Sequence, residues 1–273
     1  MFKINKLAFI GYGEVGRLFA QQLRDGSGVQ ISAFDLKLNS AEDAAPLIAA
    51  GRASGVHLAR GAADAASGAE IIISAVTADA AAAVAEEAAA YLAPGQIFFD
   101  VNSASPSTKA GCAKALEGEG LDYVEGAVMA PVVEPGIRAP ILTGGARAAE
   151  LTEALNGFGM NLRHVSDRIG RASATKLCRS IMIKGIEALI IESANASAHW
   201  GVSEDVFASL NQTFQGADWA ELAQLMDRRV AKHGVRRAAE MREAAAMLAD
   251  MGRDPELIRA VADSHQRRAA SAK

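Results

Sequence analysis

The sequence predicts a doubly wound α/β domain with a mostly parallel sheet, followed by an all-α domain. Three observations carry this prediction. The chain opens on a short apolar run, a glycine turn and an amphipathic helix, in that order. Short apolar runs then alternate with helical patterns, as in βαβ units. Near Asp167-Arg168-Ile169-Gly170 the strand signals stop, and helical periodicity continues to the C-terminus. The boundary is therefore placed at residue 166, with an α/β domain over 1–166 and a helical domain over 167–273.

The first unit is Leu7-Ala8-Phe9-Ile10, then Gly11-Tyr12-Gly13-Glu14-Val15-Gly16, then Arg17 to Leu23. A lone G-x-G-x-x-G is a weak signal, but between a strand and a helix it has a mechanism. Gly11 permits the tight turn. Gly13 lets a pyrophosphate approach the backbone without meeting a Cβ. Gly16 allows the helix to pack closely on the strand. The helix N-terminus then presents unpaired N–H groups and partial positive charge to phosphates. The whole segment from Gly11 to Gly16, with Tyr12, Glu14 and Val15, is the expected dinucleotide turn of a Rossmann domain. The next strand, Val29 to Phe34, runs into Asp35. An acidic residue about 20 positions beyond the turn can accept the ribose hydroxyls. Its charge would repel a 2′-phosphate, which favours NAD, while Lys37 nearby keeps NADP open.

Further strands are expected at Val56-His57-Leu58, Ile71 to Val76, Ile97 to Val101 and Tyr123 to Val128. The longer ones are continuously apolar, as when both sheet faces are covered. Helices are expected from Ala78 to Leu92, ended by Pro94-Gly95, and from Ser105 to Leu116, with a serine cap and Pro106 in the first turn. A long helix is expected from Ala172 to His199, followed by helices punctuated by Gly201, Gly216, Gly234 and Gly252. Cys178, Trp200, Phe207, Phe214 and Trp219 are expected to fill the helical core.

With 273 residues, half of them hydrophobic, the chain can bury a sizeable core. The net charge of −4 is spread without blocks and gives no electrostatic case for nucleic acid or a membrane surface. No long apolar stretch suggests a membrane span, and the opening residues do not read as a signal peptide. The two cysteines, Cys112 and Cys178, have no metal-ligand spacing and are read as reduced, in a cytoplasmic protein with no metal site.

In such a domain the ligand binds at the carboxyl ends of the strands. The residues there are Val76 and Thr77, then Asp100-Val101-Asn102-Ser103-Ala104-Ser105-Pro106, then Met129-Ala130-Pro131. The long helix follows, with Lys176 in its second turn. These segments are expected to converge on one cleft between the domains.

From Gly11 to about Gly185 the order of motifs resembles the β-hydroxyacid dehydrogenases, the family of 3-hydroxyisobutyrate dehydrogenase and 6-phosphogluconate dehydrogenase. The family's D-x-S-T-x-x-P segment is similar to Asp100 through Pro106, and its G-x-G-x-x-x-K helix start is similar to Gly170-Arg171-Ala172-Ser173-Ala174-Thr175-Lys176. The resemblance implies hydride transfer between a nicotinamide and an alcohol carbon, with Lys176 as general acid/base. Asn102 and Ser103 would border the nicotinamide and substrate. Ser180 stands where the family places a catalytic asparagine. Burial and positive neighbours lower a lysine pKa toward that task, with the helix N-terminus helping. Lys184, on roughly the same helix face, offers a second charge for an anionic substrate.

The departures are as informative. The family's D-A-P-V-S-G-G segment is replaced by Glu125-Gly126-Ala127-Val128-Met129-Ala130-Pro131. The substrate-binding serine and first glycine have become Met129 and Ala130, and Pro131 has no N–H to offer. Ile183 occupies the position of the glutamate acid of true 6-phosphogluconate dehydrogenases, which argues against decarboxylation of that substrate. The C-terminal part resembles the helical domain of phosphogluconate dehydrogenase-like proteins through Lys184-Gly185, Glu192 and His233 to Met241. There, Arg236 and Arg237 either bind an anion or pair with Glu240 and Glu243. Two rival functions stay open: an imine reductase on the same scaffold, and a dinucleotide-binding protein without turnover. The long alanine-rich helix, and the resemblance, predict a homodimer.

Overall fold

The computed structural model describes residues 4–117 and 120–272. The chain divides into two compact units, one ending at Lys176 and the other beginning at Leu177. The division falls after Lys176 rather than after residue 166, because the start of the long helix is bonded to the sheet (below).

The first unit is built on an eight-stranded sheet. Its strands are β1 (Lys6–Ile10), β2 (Gln30–Phe34), β3 (His57–Leu58), β4 (Ile71–Ser74), β5 (Ile97–Asp100), β6 (Asp122–Val128), β7 (Pro140–Gly144) and β8 (Asn161–Ser166). The order across the sheet is β3-β2-β1-β4-β5-β6-β7-β8. Only β6 and β7 pair antiparallel; the other neighbours run parallel. The order reverses between β1 and β4, which makes their carboxyl ends the switch point where doubly wound sheets take ligands.

Alternation along the central strands builds two apolar layers. Phe9, Ile73 and Phe99 face one layer with Phe19 and Leu23 of α1 (Glu14–Ser27). Ala8, Ile72 and Phe98 face the other, with the small residues Ala65, Ala85 and Ala88 and the buried Cys112. That is why β1, β4 and β5 read as continuous apolar runs. The sheet-covering helices are α2 (Ala41–Ser54), α3 (Ala62–Ala66), α4 (Ala81–Ala88), α5 (Pro106–Ala115) and α6 (Ala148–Asn156). The Ser105 hydroxyl caps α5 by accepting the Thr108 N–H at 3.2 Å. α4 is shorter than expected and follows a 3-10 turn at Ala78–Ala80.

β7 and β8 were not expected. β7 opens on proline, and β8 alternates exposed Asn161 and Arg163 with the buried Leu162 and the half-buried His164. An edge strand of that composition carries no long apolar run.

The second unit is helical: the remainder of α7 (Arg171–Trp200), then α8 (Ser203–Thr213), α9 (Trp219–Asp250) and α10 (Glu256–Ala270). Gly201, Gly216 and Gly252 have positive φ at helix ends, as punctuation requires. Gly234 does not punctuate; it lies inside α9, where a Cβ would overlap the His265 carbonyl of α10. It is a packing glycine, and His233 lies mid-helix. Three of the expected core side chains are on the surface: Cys178 is exposed, as are Trp200 (77%) and Phe214 (55%). Among the described residues no helix is long and apolar enough to cross a membrane.

Candidate active site

The glycine turn sits at the switch point. Gly11 has φ +95°, its N–H bonds the Phe34 carbonyl at 2.8 Å, and a Cβ there would overlap the Ala75 carbonyl. Gly16 is required because a Cβ would overlap the Gly11 carbonyl, so it closes the turn on itself. A Cβ at Gly13 would meet no atom within 4 Å, and Gly13 is the N-cap of α1 without a side-chain cap. The space at the N-cap of α1 is therefore open, as the approach of a phosphate to first-turn N–H groups requires. Glu14 is exposed and Val15 half-buried. The Tyr12 side chain is in the core, its hydroxyl 3.1 Å from that of Ser54, so this residue reaches a ligand through its backbone alone.

Asp35 ends β2. Its carboxylate accepts the Tyr12 N–H at 2.8 Å and the Lys37 N–H at 3.0 Å. It thus ties the glycine turn to the following 3-10 turn, and each oxygen keeps a lone pair for a ribose hydroxyl.

Asn102 follows β5 and is buried. Its side-chain carbonyl accepts the Val76 N–H at 2.7 Å and its amide donates to the Ser74 hydroxyl at 2.9 Å. Two of the expected cofactor residues are thus bonded to each other across the ends of β4 and β5. Thr77 is exposed beside them. The Ser103 hydroxyl is shielded from solvent and has no hydrogen-bond partner among the described residues. A buried hydroxyl without a partner costs about 1–3 kcal/mol, so Ser103 suits an incoming polar ligand.

Beneath Asn102 lies a buried cluster that the sequence reading missed. Lys109 of α5 is fully buried and ion-paired with Asp100 at 2.8 Å, and it also donates to the Asp100 carbonyl at 2.9 Å. The Tyr123 hydroxyl donates to the other carboxylate oxygen at 2.7 Å, while Asp100 also accepts the Asn102 N–H at 2.8 Å. Burial, with Asp100 beside it, pushes the Tyr123 pKa well above the ordinary tyrosine value.

The comparisons with known proteins bear on these residues. Residues 6–158 match the family model described as the NAD binding domain of 6-phosphogluconate dehydrogenase. The chain belongs to the β-hydroxyacid dehydrogenase family. Residues 198–268 match a model described as a domain of unknown function, DUF1932. A conserved hypothetical protein from Sinorhizobium meliloti is 37% identical, covers 98% of this chain and 89% of its own, and superposes with a TM-score of 0.83. The conserved protein MTH1747, described as of unknown function and structurally similar to 3-hydroxyacid dehydrogenases, is 30% identical over 98% of this chain and 99% of its own, with a TM-score of 0.77. The 3-hydroxyisobutyrate dehydrogenase of Mycobacterium tuberculosis shares the fold, at 19% identity over 98% of this chain and 94% of its own, with a TM-score of 0.78. Fold and family are those of dinucleotide-dependent oxidoreductases.

Within this family the substrate-side positions of the chain have distinct surroundings. Met129 and Ala130 are half-buried after β6, and the Met129 N–H is taken by the Pro140 carbonyl at 2.8 Å. That amide is spent on the sheet. Lys176 is half-buried in the second turn of α7, at the end of the α/β unit. Ser180 and Lys184 lie in the helical unit, where Glu240 of α9 engages both. The Ser180 hydroxyl donates to Glu240 at 2.6 Å, and the Lys184 ammonium contacts Glu240 at 3.0 Å and Ser180 at 3.1 Å. Burial lowers the Lys184 pKa, against the opposing pull of Glu240. Arg237 pairs not with the helix-surface acids but with the buried Glu187, whereas Arg236 is exposed.

Proposed function

We propose that this protein is an NAD(P)-dependent oxidoreductase acting on a β-hydroxyacid or related polar alcohol, with Lys176 as the general acid/base. The observation that carries the reading is that a single compact unit holds the glycine turn, Asp35, the Asn102-Ser103 turn and Lys176. The glycine turn and the open N-terminus of α1 fit the diphosphate of a dinucleotide, and Asp35 favours NAD at the ribose. Bound nicotinamide would supply the hydride acceptor. In alcohol oxidation the neutral Lys176 amine would take the hydroxyl proton while the carbinol hydride would pass to the nicotinamide, leaving a carbonyl product. In reduction the ammonium returns the proton. Asn102 holds the ends of β4 and β5 together, and Ser103 offers its unpartnered hydroxyl to the substrate.

The test is Lys176→Met, assayed against a panel of hydroxyacids and, for the reverse direction, oxoacids. Turnover is expected to fall about 100- to 10,000-fold, while NADH affinity by fluorescence titration stays within about twofold of the parent. Retained turnover would remove Lys176 from the mechanism. NADH binding without turnover on any panel member would favour the non-catalytic reading.

We also propose a homodimer built on the helical unit. Met182, Ile186, Leu189 and Trp200 leave large apolar side chains exposed along α7, at the helical spacing of a single stripe. Leu189→Glu is expected to lower the mass measured by light scattering to that of a monomer.

A further inference from the structure

We propose that Glu125 is the positioning residue for the Lys176 amine. This rests on the reading of Lys176 given above and adds a residue that the motif comparison does not assign. Glu125 lies in β6, directly beside Asp100 of β5, and is fully buried. An acid in the middle of a sheet is costly unless its oxygens are satisfied, and here both are. One oxygen accepts the N–H groups of Gly170 at 2.7 Å and Ala172 at 3.0 Å. The other accepts the Ser173 N–H at 3.3 Å and the Ser173 hydroxyl at 2.8 Å.

These donors are the first-turn groups that a helix leaves without internal partners. A side chain 45 to 48 positions earlier in the chain therefore caps α7. The surroundings are shaped for it. A Cβ at Gly144 of β7 would stand 2.7 Å from the Glu125 carboxylate, and Gly170 reaches the carboxylate with φ +96°.

Lys176 follows Ala172 and Ser173 by one helical turn, so it stacks on the side of α7 that Glu125 grips. A shift of the first turn against the sheet is carried directly into the Lys176 side chain. The carboxylate also offsets the positive end of the α7 dipole. The carboxylate thus offsets part of the field that helix end would exert on the first turns of α7, and its grip on Gly170, Ala172 and Ser173 sets where the Lys176 amine is held.

The experiment compares the parent with Glu125→Gln, which keeps the side-chain size but turns one acceptor oxygen into a donor facing Ser173. Trace labelling with acetic anhydride across pH 7–10, read by peptide mass spectrometry, reports Lys176 reactivity relative to the exposed Lys232. The Lys176 to Lys232 ratio is expected to change at least about threefold at fixed pH, which is half a unit of lysine pKa. NADH affinity is expected to stay within about twofold, and kcat to fall about 10- to 100-fold with the cofactor KM unchanged. Ser173→Ala removes a single donor and is expected to shift the ratio less; it carries the test if Glu125→Gln does not fold. A lower melting temperature with the ratio unmoved in both variants would show a purely structural cap and overturn the proposal. The parent labelled with and without saturating NADH separates the two readings. If NADH gives Lys176 no protection, its place beside the nicotinamide fails, while the Glu125 result stands by itself.

Discussion

In the α/β unit the buried acids answer to backbone N–H groups as well as to side chains such as Lys109 and Ser173; in the helical unit Glu187 and Glu240 answer to other side chains. Asp100 accepts the Asn102 N–H, and Glu125 accepts three N–H groups at the start of α7. Glu187, by contrast, faces Arg237 and Arg229, and Glu240 faces Lys184 and Ser180. A carboxylate bonded to backbone fixes where a turn or helix begins, which a reaction site needs. A carboxylate bonded to side chains across helices fixes which faces meet, at the expense of desolvating every member.

The largest expected effect tests the side-chain kind. Arg237→Met leaves Glu187 buried with its strongest partner gone, and should cost about 3–5 kcal/mol of stability in urea unfolding. Adding Glu187→Leu to it should restore most of that loss, since an apolar pair needs no desolvation. If the double variant is no more stable than the single, the pair is not a closed unit.

On the backbone side, Gly11→Ala forces a side chain into a positive-φ position and against the Ala75 carbonyl. The conformational part alone is worth about 1–2 kcal/mol, and the overlap adds to it. NADH affinity should fall more than about tenfold. A variant that binds NADH normally would separate the glycine turn from the cofactor. A smaller effect is expected from Asp35→Ser, which removes the charge facing a 2′-phosphate. NADPH affinity should rise about tenfold relative to NADH. An unchanged ratio would leave Asp35 with only its hold on Tyr12 and Lys37.

The same contrast explains what was legible in the sequence. The glycine turn, β1 to β6 and the length of α7 follow from local rules: a glycine where a Cβ has no room, an apolar run where both faces are covered. β7, which opens on proline, and the edge strand β8 lack that pattern. Glu125 leaves little signal because its partners lie 45 to 48 positions away, and Lys109 because no short motif marks its pairing with Asp100 between a helix and the end of a strand. Glu125 nevertheless left a trace, being the one acid inside the otherwise apolar Tyr123 to Val128 run. In the helical unit, alanine-rich faces look alike, so the side that turns inward is set by the opposing helix. Hence composition alone points Trp200, Phe214 and Cys178 inward although they lie outside, and marks Gly234 as a break although it admits α10.

The smallest expected effect concerns His265 of α10, which is 1% exposed. Burial lowers its pKa below 6.5, and the positive charges of Arg237 and Lys184 act in the same direction against the pull of Glu187. Between the lowered native value and 6.5, the unfolded chain holds more protons on this group than the native one. Its contribution to stability is therefore complete above about pH 6.5 and is lost as pH falls toward the native value, at no more than about 1.4 kcal/mol per pH unit. Below the native pKa the loss stops growing. Urea midpoints measured at pH 7, 6 and 5 should decline in the parent and decline less in His265→Leu, which cannot take up a proton. Because the charges around His265 are side chains rather than backbone, the effect should be confined to unfolding of the helical unit, with NADH affinity over the same range following the α/β unit alone. Parallel slopes in the parent and the variant would assign the acid sensitivity to other groups.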